Sequence, residues 1–130
     1  MDRRSKSYII DLPPVAWQRP GQNGNVRYDA QKNPKLLFGL HINKEHNNER
    51  PFTTPISIDI VFSQKYPKSK SKKLNLIWWD TTPDIDNLEK FLYDTLQECG
   101  VIANDKLIVQ VSQKKIYSDR ARVEFTITEL

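Results

Sequence analysis

Cysteine and glycine are scarce in this sequence of 130 residues, which contains one cysteine, Cys99, and four glycines. A single cysteine excludes an intrachain disulfide bond and a cysteine-rich zinc site. No nucleophile elbow, glycine-rich phosphate loop or redox cysteine pair occurs, and the low glycine content agrees with that absence. Long apolar runs are also missing, because no stretch approaches the ~18 consecutive residues that a membrane-spanning helix requires.

The amino terminus is basic but lacks the apolar segment of a secretory signal. Residues 1–6 carry the positive charge, and only the run Tyr8–Ile10 follows before Asp11 interrupts it. A signal peptide would need about 7–15 apolar residues at this place. The length fits one compact domain over residues 1–130, with enough apolar content for its own core. We therefore expect a soluble, intracellular protein without a membrane span.

Positive charge is concentrated in one short segment. The chain has twenty Lys and Arg against sixteen Asp and Glu, a net charge of +4. Five lysines crowd together around Pro67: Lys65, Lys68, Lys70, Lys72 and Lys73. Such a run cannot pack, so it predicts a mobile, solvated loop. The loop serves either solubility or contact with nucleic-acid phosphates, which would weaken steeply as salt rises.

The sequence predicts five strands, two of them from alternating apolar and polar residues. The clearest covers residues 56–63, where every second residue is apolar: Ile56, Ile58, Ile60 and Phe62. The other predicted strands cover residues 7–12, 74–79, 108–117 and 123–128. Residues 13–33 are predicted to be a loop because they are rich in turn-forming Pro, Gly and Asn.

Two segments have helical periodicity. Residues 34–47 favour a short helix opened by Pro34 and weakened by Gly39. Its expected apolar face consists of Leu36, Leu37, Leu40 and, less clearly, Phe38. Residues 87–99 predict the main helix, which Gly100 closes. Its apolar stripe consists of Leu88, Phe91, Leu92, Leu96 and Cys99. The order of elements predicts an α+β fold with a mixed or antiparallel sheet.

The most informative segment is residues 79–90, where the chain passes from extended structure into the main helix. Asp86 is the predicted N-cap, and Glu89 three residues later completes a capping box. This explanation leaves Asp84 as a second negative charge without a local partner. Lys90 follows Asp86 by one helical turn and projects on the same side. An Asp86–Lys90 surface ion pair is one explanation and would contribute little to stability.

A third carboxylate, Asp105, follows the main helix in the turn formed by residues 100–105. It reaches Asp84 and Asp86 only if the next strand returns alongside them, or if a partner chain supplies it. Three acidic side chains at two element boundaries would form the hard oxygen site that Mg²⁺ or Mn²⁺ prefers. Helix caps and turn aspartates are the alternative explanation.

The remaining polar and aromatic candidates have simpler interpretations. His41 and His46 lack a carboxylate at metal-ligand spacing, which favours exposed histidines over a metal site. Trp78 and Trp79 point to opposite faces if they lie in a strand, so one is expected in the core. The other is available to stack on an unpaired base or to cover a dimer interface. Cys99 is expected to serve packing.

One block of residues carries a family resemblance. It is Asp84-Ile85-Asp86-Asn87-Leu88-Glu89-Lys90, followed by Tyr93-Asp94, Leu96, Gly100 and Asp105. This block resembles the RusA family of Holliday-junction resolvases. The family pattern is Asp-x-Asp-Asn-x-x-Lys at the start of a helix, with a further Asp about fifteen residues past the Lys. Residues 80–130 match well, and the loop with Pro13, Pro14, Arg19 and Arg27 matches more loosely.

The resemblance implies a Mg²⁺-dependent endonuclease, with Mn²⁺ as an alternative ion, that resolves four-way DNA junctions by symmetric nicks in recombination and repair. It implies that Asp84, Asp86 and Asp105 bind the metal and act in catalysis, and that Lys90 is the catalytic lysine. The resemblance also implies a supporting role in the site for Asn87. Two symmetric nicks in a two-fold junction are most simply made by a homodimer. The expected location is the cytoplasm of a bacterial or phage-infected cell.

Under the same interpretation, basic residues outside the acidic block would hold the junction through its phosphates. They are Arg19, Arg27, Lys65, Lys68, Lys70, Lys72 and Lys73. One alternative is a non-catalytic, basic DNA-binding module with the same fold. Another is an interaction domain in which the acidic block only caps a helix. Retention of all four residues Asp84, Asp86, Lys90 and Asp105 argues against both, since drift would be expected to remove at least one.

Overall fold

A computed structural model of the chain describes residues 3–19, 21–24, 26–68 and 77–130. The strands and α-helices in these ranges are β1 (Ser5–Ile10), β2 (Gly21–Asn23), β3 (Val26–Tyr28), α1 (Lys32–His46), β4 (Ile56–Lys65), α2 (Ile85–Glu98), β5 (Ile108–Ser118) and β6 (Arg122–Glu129). A short 3₁₀ helix, Asp105–Leu107, connects α2 to β5. Within the described ranges, no helix is long and apolar enough to cross a membrane.

A four-stranded sheet with the order β1-β6-β4-β5 forms the framework. β6 pairs antiparallel with β1 and with β4, whereas β4 and β5 run parallel. The helix α2 lies in the crossover between the two parallel strands, which cannot be joined by a tight turn. The predicted α+β fold with a mixed sheet is therefore confirmed.

A second, smaller sheet lies in the segment that was predicted to be a loop. β2 and β3 pair antiparallel over three residues each, so the prediction is wrong at these positions. Gly24 between them has a positive φ of 63°, the conformation that a tight hairpin turn requires. Strands this short show no alternation of apolar residues, and the turn-forming residues therefore dominate the sequence pattern.

The core lies between the sheet and the helices. β4 alternates as predicted, and its four inward side chains are at most 2% exposed: Ile56, Ile58, Ile60 and Phe62. α2 buries its predicted stripe in the same hydrophobic cluster: Leu88, Phe91, Leu92 and Leu96. Cys99 packs at the edge of this cluster. Gly100 follows with a positive φ of 84°, the left-handed conformation that ends many helices.

α1 is longer than predicted and buries a different face. The predicted apolar face is largely exposed: Leu36 (57%), Leu37 (48%) and Leu40 (69%). The buried residues are Phe38, Gly39, Ile42 and His46. Gly39 allows a close approach to α2, because a Cβ at this position would lie 3.3 Å from the Cβ of Cys99. The fit against α2 therefore decides which face of α1 is buried, and the leucines lie outside this contact.

The predicted strand at residues 74–79 forms in part. Residues 74–76 lie outside the described residues, and residues 77–79 contribute an isolated bridge between Trp78 and Ile116 of β5. Trp79 is 5% exposed and Trp78 is 64% exposed. The expectation that one of the two tryptophans enters the core is therefore confirmed.

The prediction of an exposed His46 is wrong. The residue is 5% exposed, and its Nδ1 lies 2.6 Å from the hydroxyl oxygen of Tyr8 on β1. Burial lowers the pKa of His46 and raises the pKa of Tyr8. Both side chains are therefore neutral near pH 7, and one hydrogen bond joins the Tyr8 hydroxyl to the imidazole. His41, on the same helix, is exposed as predicted.

The buried imidazole predicts a loss of stability at mildly acidic pH. The pKa of His46 is lower in the folded than in the unfolded protein, so the unfolded chain binds this proton first as the pH falls. The free energy of unfolding should therefore decrease below about pH 6.5, by up to about 1.4 kcal/mol per pH unit. Urea unfolding over a pH series measures this slope.

Two variants test whether His46 causes this pH dependence of the free energy of unfolding. His46→Gln should flatten the pH dependence in this window, whereas the exposed matched control His41→Gln should retain it. If His46→Gln kept the full slope of the wild type, the buried histidine would not be its source.

Candidate active site

The acidic block lies where α2 begins. The helix starts at Ile85, so Asp84 occupies the N-cap position that was predicted for Asp86. The carbonyl oxygen of Asp84 accepts the backbone N–H groups of Asn87 at 3.2 Å and Leu88 at 3.3 Å. Its carboxylate makes no capping hydrogen bond to the described residues. Asp86 lies in the first turn, where its Oδ1 accepts the N–H of Asn87 at 3.0 Å.

The predicted capping box is wrong, because Glu89 turns towards the sheet. Its Oε2 accepts a hydrogen bond from the side-chain amide of Gln113 on β5. Burial of each large apolar side chain of α2 contributes about 1.5–3 kcal/mol, whereas a cap contributes about 0.5–2 kcal/mol. The helix is thus stable without a side-chain cap. Capping therefore does not explain the exposed carboxylates of Asp84 and Asp86.

A cavity of about 420 Å³ lies along the polar side of α2. Asp86, Lys90 and Asp94 follow one another at intervals of one helical turn, so they share one face of the helix. The cavity is lined by Trp17, Asp86, Asn87, Glu89, Lys90, Tyr93, Asp94 and Asp105. Asp84 precedes the helix and is not among these lining residues. Asp86, Lys90 and Asp105 are thus brought together.

Asp105 reaches this cavity within the same chain. The side-chain oxygen of Gln97 on α2 accepts the backbone N–H of Asp105 at 2.9 Å. The N–H of Ala103 donates to the carbonyl oxygen of the fully buried Phe52 at 2.9 Å, which holds the preceding turn against the core. These contacts fold the chain back along α2. Neither a partner chain nor the returning strand is needed to place Asp105 in the cavity that Asp86 also lines.

The side chain of Lys90 lies over an aromatic ring. Among the ion pairs of the described residues, none joins Lys90 to Asp86. The Nζ of Lys90 is 3.6 Å from the centroid of the Trp17 indole, the geometry of a cation–π interaction. The N–H of Trp17 donates to the carbonyl oxygen of Asn87 at 2.9 Å, which attaches the loop directly to the first turn of α2. In the sequence, Trp17 belongs to the segment predicted to be a loop, and no local pattern marks it as a partner of Lys90.

The loop that carries Trp17 is held by Gln31, which is 4% exposed. The side chain of Gln31 donates to the carbonyl oxygen of Ala16 at 2.8 Å and accepts the N–H of Gln18 at 2.9 Å. Both neighbours of Trp17 are therefore fixed by one buried amide. Nothing in the sequence pattern distinguishes Gln31 from other glutamines, because its role depends on tertiary contacts.

Lys115 on β5 contacts the segment that leads into the acidic block. Its Nζ donates to the carbonyl oxygens of Thr81 and Pro83, each at 2.6 Å. Lys115 was not predicted as a site residue, although the sequence offers one signal. The alternation of the strand places Lys115 on the same face as Tyr117, which is 6% exposed, and a charged residue on a buried face calls for an explanation.

The cavity is strongly acidic, with four carboxylates and one ammonium group among its lining side chains. Burial raises the pKa of Asp94, and the negative charges of Glu98 and Asp105 raise it further against the opposing effect of Lys35 and Lys90. Burial also raises the pKa of Tyr93, assisted by Glu89. Without a cation, this surface would repel a DNA phosphate.

Comparison with known proteins identifies the family. The sequence profile described as "Endodeoxyribonuclease RusA" matches residues 11–128. The chain belongs to the RusA endodeoxyribonuclease family. It is 32% identical to the crossover junction endodeoxyribonuclease rusA of Lactococcus phage r1t over 114 residues, which cover 87% of this chain and 76% of that protein. It is also 31% identical to the protein YqaN of Bacillus subtilis (strain 168) over 130 residues, covering 90% and 91% of the two chains. The resemblance inferred from the acidic block is therefore confirmed.

Some of the basic residues that the RusA resemblance assigns to DNA contact lie within the described ranges, and others lie outside them. Arg19 is exposed in the loop that follows Trp17, and Arg27 belongs to β3. Lys65 at the end of β4 and Lys68 are exposed. The remaining lysines of the segment lie outside the described residues: Lys70, Lys72 and Lys73.

The carboxylate and amide oxygens that line the cavity on α2 are ligands that suit a hard divalent cation. Mg²⁺ usually keeps several waters and is held by one or two protein carboxylates. Asp86 and Asp105 supply such oxygens to one concave surface, which Asn87 also lines. Among the described residues, no group of three or more His, Cys, Asp or Glu side chains is arranged to hold a metal. The arrangement thus fits a largely hydrated ion better than a fully enclosing protein cage.

The geometry of Asp86 predicts that its removal hardly affects stability. Asp86→Ala should change the free energy of unfolding by less than about 0.5 kcal/mol without divalent cations. The reason is that relief of repulsion among the cavity carboxylates offsets the lost attraction to the helix dipole. Urea unfolding with chelator present measures this change.

Leu96→Ala on the buried face of α2 is the control and should cost about 2–5 kcal/mol. A loss of about 1–2 kcal/mol in Asp86→Ala would instead indicate that Asp86 caps the helix.

Proposed function

We propose that this protein is a divalent-metal-dependent endonuclease that resolves four-way DNA junctions by paired, symmetric nicks. The observation that carries the proposal is the cavity on α2, where Asp86, Lys90 and Asp105 meet in a chain of the RusA family. The phage relative is named a crossover junction endodeoxyribonuclease, and we extend this substrate to the present chain.

In the proposed site, Asp86 and Asp105 hold a hydrated metal ion from the cavity, Asp84 completes the ligand set from the N-cap position outside it, and Asn87 supports the arrangement. A bound Mg²⁺ or Mn²⁺ supplies an activated water and neutralises charge on the phosphate and the leaving oxygen. Asp86 and Asp105 line one cavity, so a cation bound there would relieve the repulsion between their carboxylates. Affinity for the metal and for DNA should therefore be coupled.

Lys90 is the proposed catalytic lysine. Its ammonium group lines the cavity, and contact with Trp17 restricts the directions in which its long side chain can extend. A fixed cation at this place stabilises the additional negative charge that develops on the phosphate in the transition state. It acts without the reorganisation that a mobile surface lysine would need.

Positive charge outside the cavity is assigned to junction binding. Arg19, Arg27, Lys65, Lys68 and the three lysines 70, 72 and 73 would contact phosphates, which fixes position and not sequence. A four-way junction has approximate two-fold symmetry, so two coordinated nicks are most simply made by a homodimer. Each protomer then contributes one cavity.

Cleavage of a labelled four-way junction in Mg²⁺ tests the proposal directly. The wild type should introduce paired nicks in the junction and leave a linear duplex of the same sequence intact. Asp86→Asn and Lys90→Met should each reduce the cleavage rate by at least about a hundredfold, because each removes a charge needed in the transition state. Denaturing gel electrophoresis measures the rate.

The controls separate chemistry from binding. EDTA should abolish cleavage, and a gel-shift assay in Ca²⁺ should show that both variants still bind the junction. Tight junction binding by the wild type without cleavage in Mg²⁺ or Mn²⁺ would contradict the nuclease proposal and support a non-catalytic DNA-binding module.

Removal of the Trp17 ring should slow cleavage without weakening DNA binding. Trp17→Leu should lower kcat about tenfold, which corresponds to the loss of about 1–2 kcal/mol from the contact that fixes Lys90. Single-turnover kinetics on a saturated junction measure this change. Trp17→Phe keeps an aromatic face and should retain most of the wild-type rate.

Equal rates for Trp17→Leu and the wild type would show that Lys90 acts without this support. Loss of junction affinity in both Trp17 variants would assign the ring to DNA contact instead.

A further inference from the structure

We propose that Lys115 is a positioning residue that orients Asp84 for metal binding. The inference rests on the proposed function, because it concerns a residue assigned there to the metal. Lys115 lies on β5, 31 positions after Asp84 in sequence, and belongs to neither the acidic block nor the lysine-rich segment. It is a further functional residue that the motif does not contain.

The side chain of Lys115 bridges two carbonyl groups. Its Nζ lies 2.6 Å from the carbonyl oxygens of both Thr81 and Pro83, and 4.7 Å from the ring centroid of Trp79. Hydrogen bonds from a charged donor are about twice as strong as neutral ones. One ammonium group therefore fixes two peptide planes of the segment that enters α2.

The backbone of β5 holds the same segment further upstream. The N–H of Trp79 donates to the carbonyl oxygen of Lys115 at 3.2 Å, and the N–H of Tyr117 donates to that of Ile77 at 2.8 Å. The chain from Ile77 to Pro83 is thus attached to one short stretch of β5. Without the Lys115 side chain, this attachment would end at Trp79, five residues before Asp84.

The attachment matters because it holds the N-terminal side of Asp84, whereas the helix holds the other side through the Asp84 carbonyl oxygen, which accepts the N–H groups of Asn87 and Leu88. The carbonyl of Pro83 belongs to the peptide bond that joins it to Asp84, so its direction sets the direction of the Asp84 backbone. The Asp84 carboxylate is exposed and makes no capping hydrogen bond. Its orientation relative to Asp86 therefore depends on the peptide that Lys115 holds.

Lys114 provides a matched control one residue away. In the register of the sheet, Lys115 lies beside Phe62 on the face covered by the helices, and Lys114 lies beside Val61 on the opposite, open face. Lys114 is exposed. The two lysines share a strand and a charge, but only Lys115 of the two contacts the segment that leads into the acidic block. Any general effect of removing a positive charge from β5 should appear equally in both.

The first measurement is Mn²⁺ binding to the DNA-free protein by isothermal titration calorimetry. Lys115→Met should weaken Mn²⁺ affinity about 10- to 100-fold, the range found when a residue that orients a metal ligand is lost. Lys114→Met should bind Mn²⁺ like the wild type. Thermal unfolding establishes that each variant is folded, and Lys115→Gln replaces Lys115→Met if that variant does not fold.

The second measurement is junction cleavage at saturating DNA. Lys115→Met should lower kcat about 10- to 100-fold, since a small misplacement of a reactive group costs about this much. Junction affinity in Ca²⁺ should match that of Lys114→Met. Lys115→Arg keeps a charged donor and should recover at least about tenfold of the lost rate.

The outcomes separate the two proposals. If Lys115→Met retains both the Mn²⁺ affinity and the kcat of Lys114→Met, Lys115 does not position Asp84. If the two variants lose junction affinity equally, the lysines contact DNA and the inference is again wrong. If the wild type does not cleave the junction, the proposed function fails, and the Mn²⁺ titration still decides the role of Lys115.

Discussion

The packing of α2 against the sheet is the constraint on which the candidate site depends. Four large apolar side chains on one face of this helix are buried: Leu88, Phe91, Leu92 and Leu96. Together they contribute on the order of 6–12 kcal/mol, far more than the few tenths of a kcal/mol available from an exposed ion pair between neighbouring turns. The core therefore sets the rotation of α2. With that rotation fixed, Asp86, Lys90 and Asp94 face the cavity together.

The site is assembled from parts that are distant in sequence. The helix α2 supplies most of the charged groups of the cavity. Two other parts of the chain contact either one of these groups or the segment that leads into α2. The N-terminal loop brings Trp17 against Lys90, and β5 brings Lys115 against Pro83. Asp105 returns because its turn is hydrogen-bonded to α2. The acidic block thus gains its geometry from contacts that the block itself does not contain.

The charge of the cavity connects its structure to its chemistry. Four carboxylates against one ammonium group form a surface that a DNA backbone would avoid, so the arrangement is intelligible when a divalent cation neutralises part of it. The exposed carboxylates Asp84, Asp86 and Asp105 remain hydrated, which limits the cost of their repulsion to the folded protein. Membership of the RusA nuclease family therefore agrees with the acidic chemistry of the cavity, which suits a divalent cation.

Local patterns determined much of this protein. The alternation in β4, the apolar stripe of α2 and the spacing of Asp84, Asp86 and Lys90 led to the fold class and the family, because each depends on residues close together in sequence. Patterns failed where partners are remote. The buried face of α1, the burial of His46 and the attachment of Glu89 to β5 were mispredicted for this reason. Only the tertiary structure decided that Asp105 lines the cavity of Asp86 within one chain, that Trp17 contacts Lys90 and that Lys115 contacts Pro83, because these contacts exist only after helix and sheet have packed together.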